Sequence, residues 1–155
     1  FAMNYDAGNL STYLYKELGG KLQLAVWDFN NGFDNYQWFR TETDVLYTVE
    51  NSWFKRLWQD ETFREHVCER YRQLRKTTLA DEHIAEKIAS YQEELGDAVD
   101  RNFKVWGYSF DEALLAGTSK DGTSRDIRSY EEAMKQLTDT IRERLAYLDK
   151  ELGGN

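Results

Sequence analysis

The sequence predicts an α+β fold that is predominantly α, in which one short β-hairpin is followed by a helical bundle. A Gly-Gly pair separates two runs rich in β-branched, aromatic and aliphatic residues, which is typical of a hairpin. Beyond the hairpin, apolar residues recur every three or four positions. The chain contains no Pro, so caps and glycines must set the helix ends. Because neither a repeat nor a long linker is visible, residues 1–155 are expected to form a single domain.

The composition narrows the class of protein. Of the 155 residues, 41% are hydrophobic and 15% are aromatic, which indicates a folded globular chain. The net charge of −8 argues against nucleic acids and anionic membranes as main partners and is compatible with cations such as Mg²⁺. The single cysteine, Cys68, excludes an intrachain disulfide. No apolar run reaches the length of a membrane span, and no signal peptide is visible.

The hairpin is the first element. The segments "STYLYKE" and "KLQLAVW" flank "LGG" and predict strands at 11–17 and 21–27. In the first strand, Tyr13 and Tyr15 share one face and Leu14 lies on the other. The following stretch, 30–39, mixes Asn, Gly and Asp with aromatics and is predicted to be a loop.

Two helices are predicted next. A short amphipathic helix carries Trp53, Phe54, Leu57 and Trp58. Asp60 can cap the second helix. The apolar stripe of that helix consists of Phe63, Val67, Tyr71 and Leu74.

A third helical stripe has the same spacing. Its members are Ile84, Ile88, Tyr91, Leu95, Val99 and Phe103. The stripe predicts either one long helix or two helices separated near Gly96.

The carboxyl-terminal part is predicted to be a loop followed by one helix. Residues 107–125 include "GTSKDGTS" and are expected to be mobile. Ser129 and Glu132 form a capping box, and Gly153 and Gly154 end the helix. Its apolar face consists of Ala133, Leu137, Ile141, Leu145, Leu148 and Leu152.

The predicted hairpin suggests a cation-binding site at its open end. Its open end should gather Asp6, Asn9 and Asp28 from two loops, because residues near 11 and 27 pair there. Two carboxylates that lie close together repel unless a cation sits between them. A hard cation with oxygen ligands, Mg²⁺ above all, is the natural candidate.

The same arrangement has a counterpart in protein kinases. There a catalytic Asp and an Asn precede the hairpin, and a metal-binding Asp follows it. The three-residue step from Asp6 to Asn9 is shorter than in the ordinary kinase loop, so this is not a standard kinase sequence.

The motifs resemble those of a particular family of atypical kinases. The segments "NYDAGNLSTYLYK" and "GGKLQLAVWDFNNGFDN" resemble the C-terminal lobe of the spore-coat protein H (CotH) kinase family. That family has an Asn-x-Asp-x-x-Asn segment, a short hairpin and a Trp-Asp-Phe-Asp segment followed by Gly-Phe. The matching residues are Asn4, Asp6, Asn9, Trp27, Asp28, Phe29 and Gly32. The later segments "WFKRLWQDETFREHVCERYRQLR" and "RERLAYLDKEL" are similar to the family's helical tail.

The resemblance implies roles for three residues. Asp6 would be the catalytic Asp, Asp28 a metal ligand, and Asn9 a second metal ligand or a group that positions phosphate. The cofactors would be Mg²⁺ or Mn²⁺ together with ATP. The family often has Asp where this chain has Asn30, which removes one possible ligand charge.

The resemblance also implies an N-terminal nucleotide-binding lobe that is absent from this sequence. The segment "FAMN" is typical of the end of a structural element that begins earlier, so the chain is expected to be a fragment. Without the N-terminal lobe, the fragment is expected to have little or no kinase activity. The exposed lobe interface could drive self-association. By resemblance, the substrate would be Ser or Thr of a protein, possibly a coat or surface protein, and the location the spore coat or cell surface.

Other interpretations remain beside this one. The chain could be a non-catalytic helical structural or binding module, similar to a pseudokinase, or a metal-dependent hydrolase that uses the same acids. Asp6 and Asn9 could be turn formers, and Asp28 could be an N-cap or a loop residue. An EF-hand is disfavoured, since Gly32 is fifth rather than sixth from Asp28 and Phe39 occupies the twelfth position.

The remaining residue types that can carry chemistry are interpreted as structural or surface residues. His66, His83 and Cys68 lack the spacing of a zinc site or a Cys-His nucleophile. The tryptophans Trp38, Trp53, Trp58 and Trp106 are expected to pack in the core or between helices.

Overall fold

The structure, a computed structural model, describes residues 1–4, 7–35, 41–47, 52–106 and 129–154. Within these ranges the fold is predominantly helical with one two-stranded antiparallel hairpin, as the sequence predicts. The elements are β1 (Thr12–Tyr15), β2 (Gln23–Val26), a 3₁₀ turn (Phe29–Asn31), α1 (Ser52–Trp58), α2 (Glu61–Arg75), α3 (Asp81–Leu95), α4 (Ala98–Trp106) and α5 (Tyr130–Leu152). None of the described helices combines the length and the apolar character needed to cross a bilayer.

The hairpin is shorter than the predicted strands. Thr12 pairs with Val26 and Tyr15 pairs with Gln23, so the predicted ends at 11–17 and 21–27 extend beyond the ladder. The Gly20 amide donates to the Glu17 carbonyl at 2.9 Å, and Gly19 has a φ of 75°. A glycine tolerates this positive φ without steric cost, which explains Gly19 in the turn.

Both faces of the hairpin are largely open, although its alternating pattern would normally bury one face. Leu14 is 57% exposed, and its cross-strand partner Leu24 is 51% exposed. On the other face, Tyr13 packs edge-on against Trp27 with ring centroids 5.8 Å apart. Since an isolated two-stranded hairpin is marginal in water, the contacts at its ends must support this one.

The predicted caps form at the helix starts. The Asp60 side chain accepts a hydrogen bond from the Phe63 amide at 2.8 Å at the start of α2. Ser129 does the same for Glu132 at the start of α5, at 3.1 Å. Gly96, with a φ of 41°, ends α3, so the stripe from Ile84 to Phe103 belongs to two helices rather than one.

The core lies between α2 and α5. Tyr71 from α2 packs with Leu148 and Leu152 from α5, and Leu145 and Ile141 continue the buried face of α5. The last four residues of the predicted α5 stripe are therefore confirmed as buried, whereas Ala133 and Leu137 are half-buried. Trp58 packs against this core as expected, whereas Trp106 is exposed and Trp38 lies outside the described residues.

Polar contacts join the same two helices. The Asp149 carboxylate accepts from the Tyr71 hydroxyl at 2.7 Å and from Arg75 Nε and Nη2 at 2.8 and 3.0 Å. Burial raises the pKa of Asp149, but the hydrogen bonds from Arg75 and Tyr71 outweigh it, and the pKa lies below its usual range. Burial and the bond to Asp149 together raise the pKa of Tyr71. Arg75 Nη1 also reaches Asp81 at 2.8 Å, which fixes the start of α3.

The stripe of α3 is less buried than its spacing predicts. Ile84 and Ile88 are half-buried, but Tyr91 and Leu95 are exposed. The periodicity predicted the helix correctly. It did not predict how much of the apolar face is buried, because an amphipathic helix can form without that face being fully covered. The predicted loop at 107–125 lies outside the described residues.

Candidate functional site

The hairpin register places two of the predicted site positions at one end. Just beyond the last strand pair, the Trp27 amide donates to the Ser11 carbonyl at 3.2 Å. Asn9 comes shortly before this bond in the chain and Asp28 directly after it, so both leave the hairpin at its open end. Asp6 lies outside the described residues, and its place beside them stays a prediction.

Asn4 connects the two loops at this end. Its side chain is buried, and its Nδ2 donates to the backbone carbonyl of Asp28 at 3.4 Å. Its own carbonyl accepts from the Ala7 amide at 3.1 Å. One buried amide therefore ties the segment before β1 to the residue after β2. Asn4 belongs to the motif noted in the sequence, but the spacing gave no sign of this role.

The turn that carries Asn9 is anchored from two directions. The Gly8 amide donates to Thr12 Oγ1 at 2.8 Å, within the turn itself. From α1, Trp53 Nε1 donates to the Gly8 carbonyl at 2.8 Å. The Trp53 ring stacks on Phe54 with centroids 3.8 Å apart, which holds the indole in place. The prediction that Trp53 packs between elements is thus only part of its role, since its N–H also fixes this loop.

Asp28 adopts an uncommon conformation. It precedes the 3₁₀ turn with φ 54° and ψ 54°, in the left-handed region. A capping residue normally has extended backbone and accepts an amide with its side chain. Here the side chain makes no capping hydrogen bond. The carboxylate is exposed, as are the flanking Trp27 and Phe29, so it stays available to an outside cation or donor.

Further left-handed residues surround this end of the hairpin. Met3, Phe33 and Asp34 have φ of 56°, 54° and 65°. Non-glycine residues adopt this conformation rarely, and such residues concentrate at functional sites. The Phe33 amide donates to the Ala2 carbonyl at 2.7 Å. A Cβ on Gly32 would lie 3.1 Å from that same carbonyl, which accounts for glycine there.

Asp34 anchors the loop that follows Asp28, and the sequence did not predict this role. Its carboxylate is buried and accepts from the Thr41 amide at 2.6 Å and from Gln136 Nε2, on α5, at 3.4 Å. It therefore joins the loop after Asp28 to the longest described helix. In the sequence Asp34 is one polar residue of a polar loop, so only its tertiary partners distinguish it.

The chemistry of the open end is that of hard oxygen ligands. An exposed carboxylate at Asp28 and an amide at Asn9 suit Mg²⁺ or Mn²⁺ better than softer metals. Among the described residues, no group of three or more His, Cys, Asp or Glu side chains is arranged to hold a metal. Asn9 is not one of those residue types. His66 is exposed and Cys68 packs beside the core, in keeping with a surface role for the first and a structural role for the second.

Comparison with known proteins identifies the family. A search of curated proteins and a search of solved structures each found no match. A family model described as CotH kinase protein matches residues 1–148. The match covers the hairpin, the Asn4–Asp28 connection and most of α5, and the chain therefore belongs to the CotH kinase family.

Proposed function

We propose that this chain is the C-terminal catalytic and metal-binding lobe of a protein kinase that transfers the γ-phosphoryl group of ATP to Ser or Thr of a protein. The observation that carries the proposal is the shared open end of the hairpin, where Asn9 and Asp28 leave the ladder together. The family match over residues 1–148 supports it. By family resemblance, the acceptor is a coat or surface protein, and an N-terminal lobe completes the nucleotide site.

In this proposal each residue has a defined task. Asp28 and Asn9 hold Mg²⁺ or Mn²⁺, which when bound neutralises charge on the ATP phosphates. Asp6 orients the acceptor hydroxyl and accepts its proton. The hydroxyl oxygen forms a bond to the γ-phosphorus, the bond from that phosphorus to the bridging oxygen breaks, and ADP leaves. Asn4 acts on Asp28 only indirectly, by holding its backbone carbonyl.

The conformation of Asp28 fits such a task. A carboxylate used for capping would be occupied by a backbone amide, whereas this one makes no capping bond. The left-handed backbone costs on the order of 1 kcal/mol for a non-glycine residue. Asn4 helps to keep that conformation in place, as expected where precise positioning of a charge matters.

The second candidate is a non-catalytic binding module. Asn30 stands where the family often has Asp, and its backbone carbonyl accepts from Asn35 Nδ2 at 2.8 Å within the loop. The exposed apolar side chains of the hairpin would then serve as a binding surface. Absence of phosphoryl transfer together with retained partner binding would favour this candidate.

Phosphoryl transfer tests the enzymatic proposal. The full-length gene product that contains this chain would be incubated with labelled ATP, Mg²⁺ or Mn²⁺ and a protein acceptor. Asp28→Asn removes the charge but keeps a residue type that tolerates the left-handed region. We expect labelling to fall about 10²–10³-fold, the usual effect of losing one such electrostatic group.

The matched control is Asp60→Asn, because Asn caps a helix as well as Asp and Asp60 lies at the start of α2. Its labelling rate should equal that of wild type. Equal labelling by Asp28→Asn and wild type would exclude the role assigned to Asp28.

Metal binding tests the site without requiring activity. Mn²⁺ broadens NMR signals of nearby nuclei, so titration of this chain should broaden the amide signals of Asn9 and Asp28 first. Asp28→Asn should abolish that local broadening and leave signals of α5 unchanged. Uniform broadening that follows surface acids along the whole chain would count against a site at the hairpin end.

A further inference from the structure

A second feature, outside the hairpin end, is an apolar groove between α1, α2 and α5. Its volume is about 460 Å³, within the range of small-molecule sites. Its walls include Phe54 and Trp58 from α1, Phe63 and Val67 from α2, and Leu148 from α5. The groove is thus an unfilled extension of the core.

In the described part of the chain, the groove is lined by basic side chains and not by acidic ones. Among its described lining residues, the ionisable side chains besides Tyr71 are those of His66, Arg70 and Arg144, and none is acidic. The whole chain has 28 acidic and 20 basic residues, so a lining without acids runs against its composition. The groove therefore favours a negatively charged group.

Arg144 is the most deeply buried of these three residues, at 3% exposure. Its Nη1 donates to the carbonyls of Thr43 and Val45, both at 2.7 Å. Its Nε is buried without a hydrogen-bond partner, and no ion pair joins Arg144 to a carboxylate in the described part of the chain. Burial lowers the pKa of Arg144. A buried guanidinium without an anion is costly, and a ligand carboxylate would offset that cost.

We propose that the groove binds an anionic amphiphile, a straight-chain carboxylate whose tail lies between the helices and whose head pairs with Arg144. An extended peptide fits less well. The walls of the groove are largely helices, whose backbone groups are already bonded, so the amides of a buried peptide would lack partners. A hydrocarbon tail has no such groups, and its charged head would pair with the buried guanidinium of Arg144.

A ligand series tests the charge and the tail separately. Isothermal titration of the whole chain with decanoate should show saturable binding of one molecule. Decan-1-ol should bind at least about tenfold more weakly, because it lacks the charged acceptor. Octanoate should also bind about tenfold more weakly, since it buries two fewer methylenes. Equal affinity for decanoate and decan-1-ol, or no saturable binding of decanoate, would overturn the proposal.

Variants locate the site. Val67→Trp should fill the groove from α2 and abolish decanoate binding while circular dichroism stays that of wild type. Arg142→Met is the matched control, because the Arg142 side chain is 73% exposed on the same helix, and binding should be unchanged. Arg144→Met should weaken binding, but it also releases two carbonyls, so the ligand series carries the charge test if this variant unfolds.

A second copy of the chain is the competing occupant. Sedimentation would detect a dimer that forms with rising concentration. If Val67→Trp abolishes such a dimer and decanoate does not disturb it, the groove is an interface and the proposal is wrong. Wild-type affinity for decanoate in Val67→Trp would likewise overturn it.

Discussion

The hairpin and the α2–α5 pair are built on opposite principles. Between α2 and α5, apolar side chains are buried and the polar groups that join the helices satisfy one another. The hairpin exposes most of its apolar side chains, and hydrogen bonds from Asn4 and Trp53 help to hold its open end. The helices supply stability, and the hairpin end supplies positioned polar groups at some conformational cost.

The difference explains where uncommon backbone is tolerated. The left-handed non-glycine residues Met3, Asp28, Phe33 and Asp34 all lie in the segments that flank the hairpin, and the described helices contain none. Strained residues persist only where their surroundings hold them. Here the buried side chains of Asn4 and Asp34 provide that support.

The largest expected effect comes from the core. Leu148 is 2% exposed in the α2–α5 cluster, so Leu148→Ala should lower the free energy of unfolding by about 2–5 kcal/mol. Leu24→Ala, the same change at a half-exposed strand position, should cost about 1 kcal/mol or less. Urea denaturation followed by circular dichroism measures both. Similar losses would mean that something covers the hairpin and that the contrast drawn between the regions is wrong.

How far the sequence predicts the structure differs between the same two regions. The helices, their caps at Asp60 and Ser129 and the stripe of α5 could be predicted, because periodicity and capping are local properties. The hairpin turn could be predicted from Gly19 for the same reason. The strand ends could not, since the strand-like pattern of residues continues beyond the paired segments Thr12–Tyr15 and Gln23–Val26.

The candidate site was predictable only in part. The spacing of Asn9 and Asp28 around the hairpin gave their shared end, because the register of a ribbon follows from its turn. The tertiary contacts of Asp34 and Arg144 could not be found, since Gln136 lies 102 positions from Asp34 and Thr43 lies 101 positions from Arg144. The role of a buried charged residue depends on its tertiary contacts, and these leave no pattern in the local sequence.

An intermediate effect is expected from the polar link between α2 and α5. The pKa of Asp149 is lower in the folded chain than its unfolded value of about 3.9, so its contribution is full above that pH and disappears as the pH falls through the folded pKa. Asp149→Asn should cost about 1–2 kcal/mol at pH 7, at the lower end because the side chain is 45% exposed. The variant should also lose stability less steeply than wild type between about pH 5 and pH 3.

The control for that prediction is Glu94→Gln, which removes one charge from an exposed position of α3. Its stability should follow the wild-type pH dependence, measured by urea midpoints at each pH. An acid slope in Asp149→Asn as steep as in wild type would show that other carboxylates cause the slope.

The smallest effect distinguishes the hairpin end from a helix by its sign. At Asp28, with φ 54°, a Cβ is unfavourable, so Asp28→Ala should be less stable than Asp28→Gly by about 1 kcal/mol or less. At Glu86, an exposed position inside α3, the order should reverse, because Ala favours a helix over Gly by about 1 kcal/mol. Thermal or urea unfolding of the four variants measures both differences. If Ala is the more stable residue at both positions, Asp28 does not hold the left-handed conformation in solution. The argument that this conformation keeps the Asp28 carboxylate out of a capping bond would then fail.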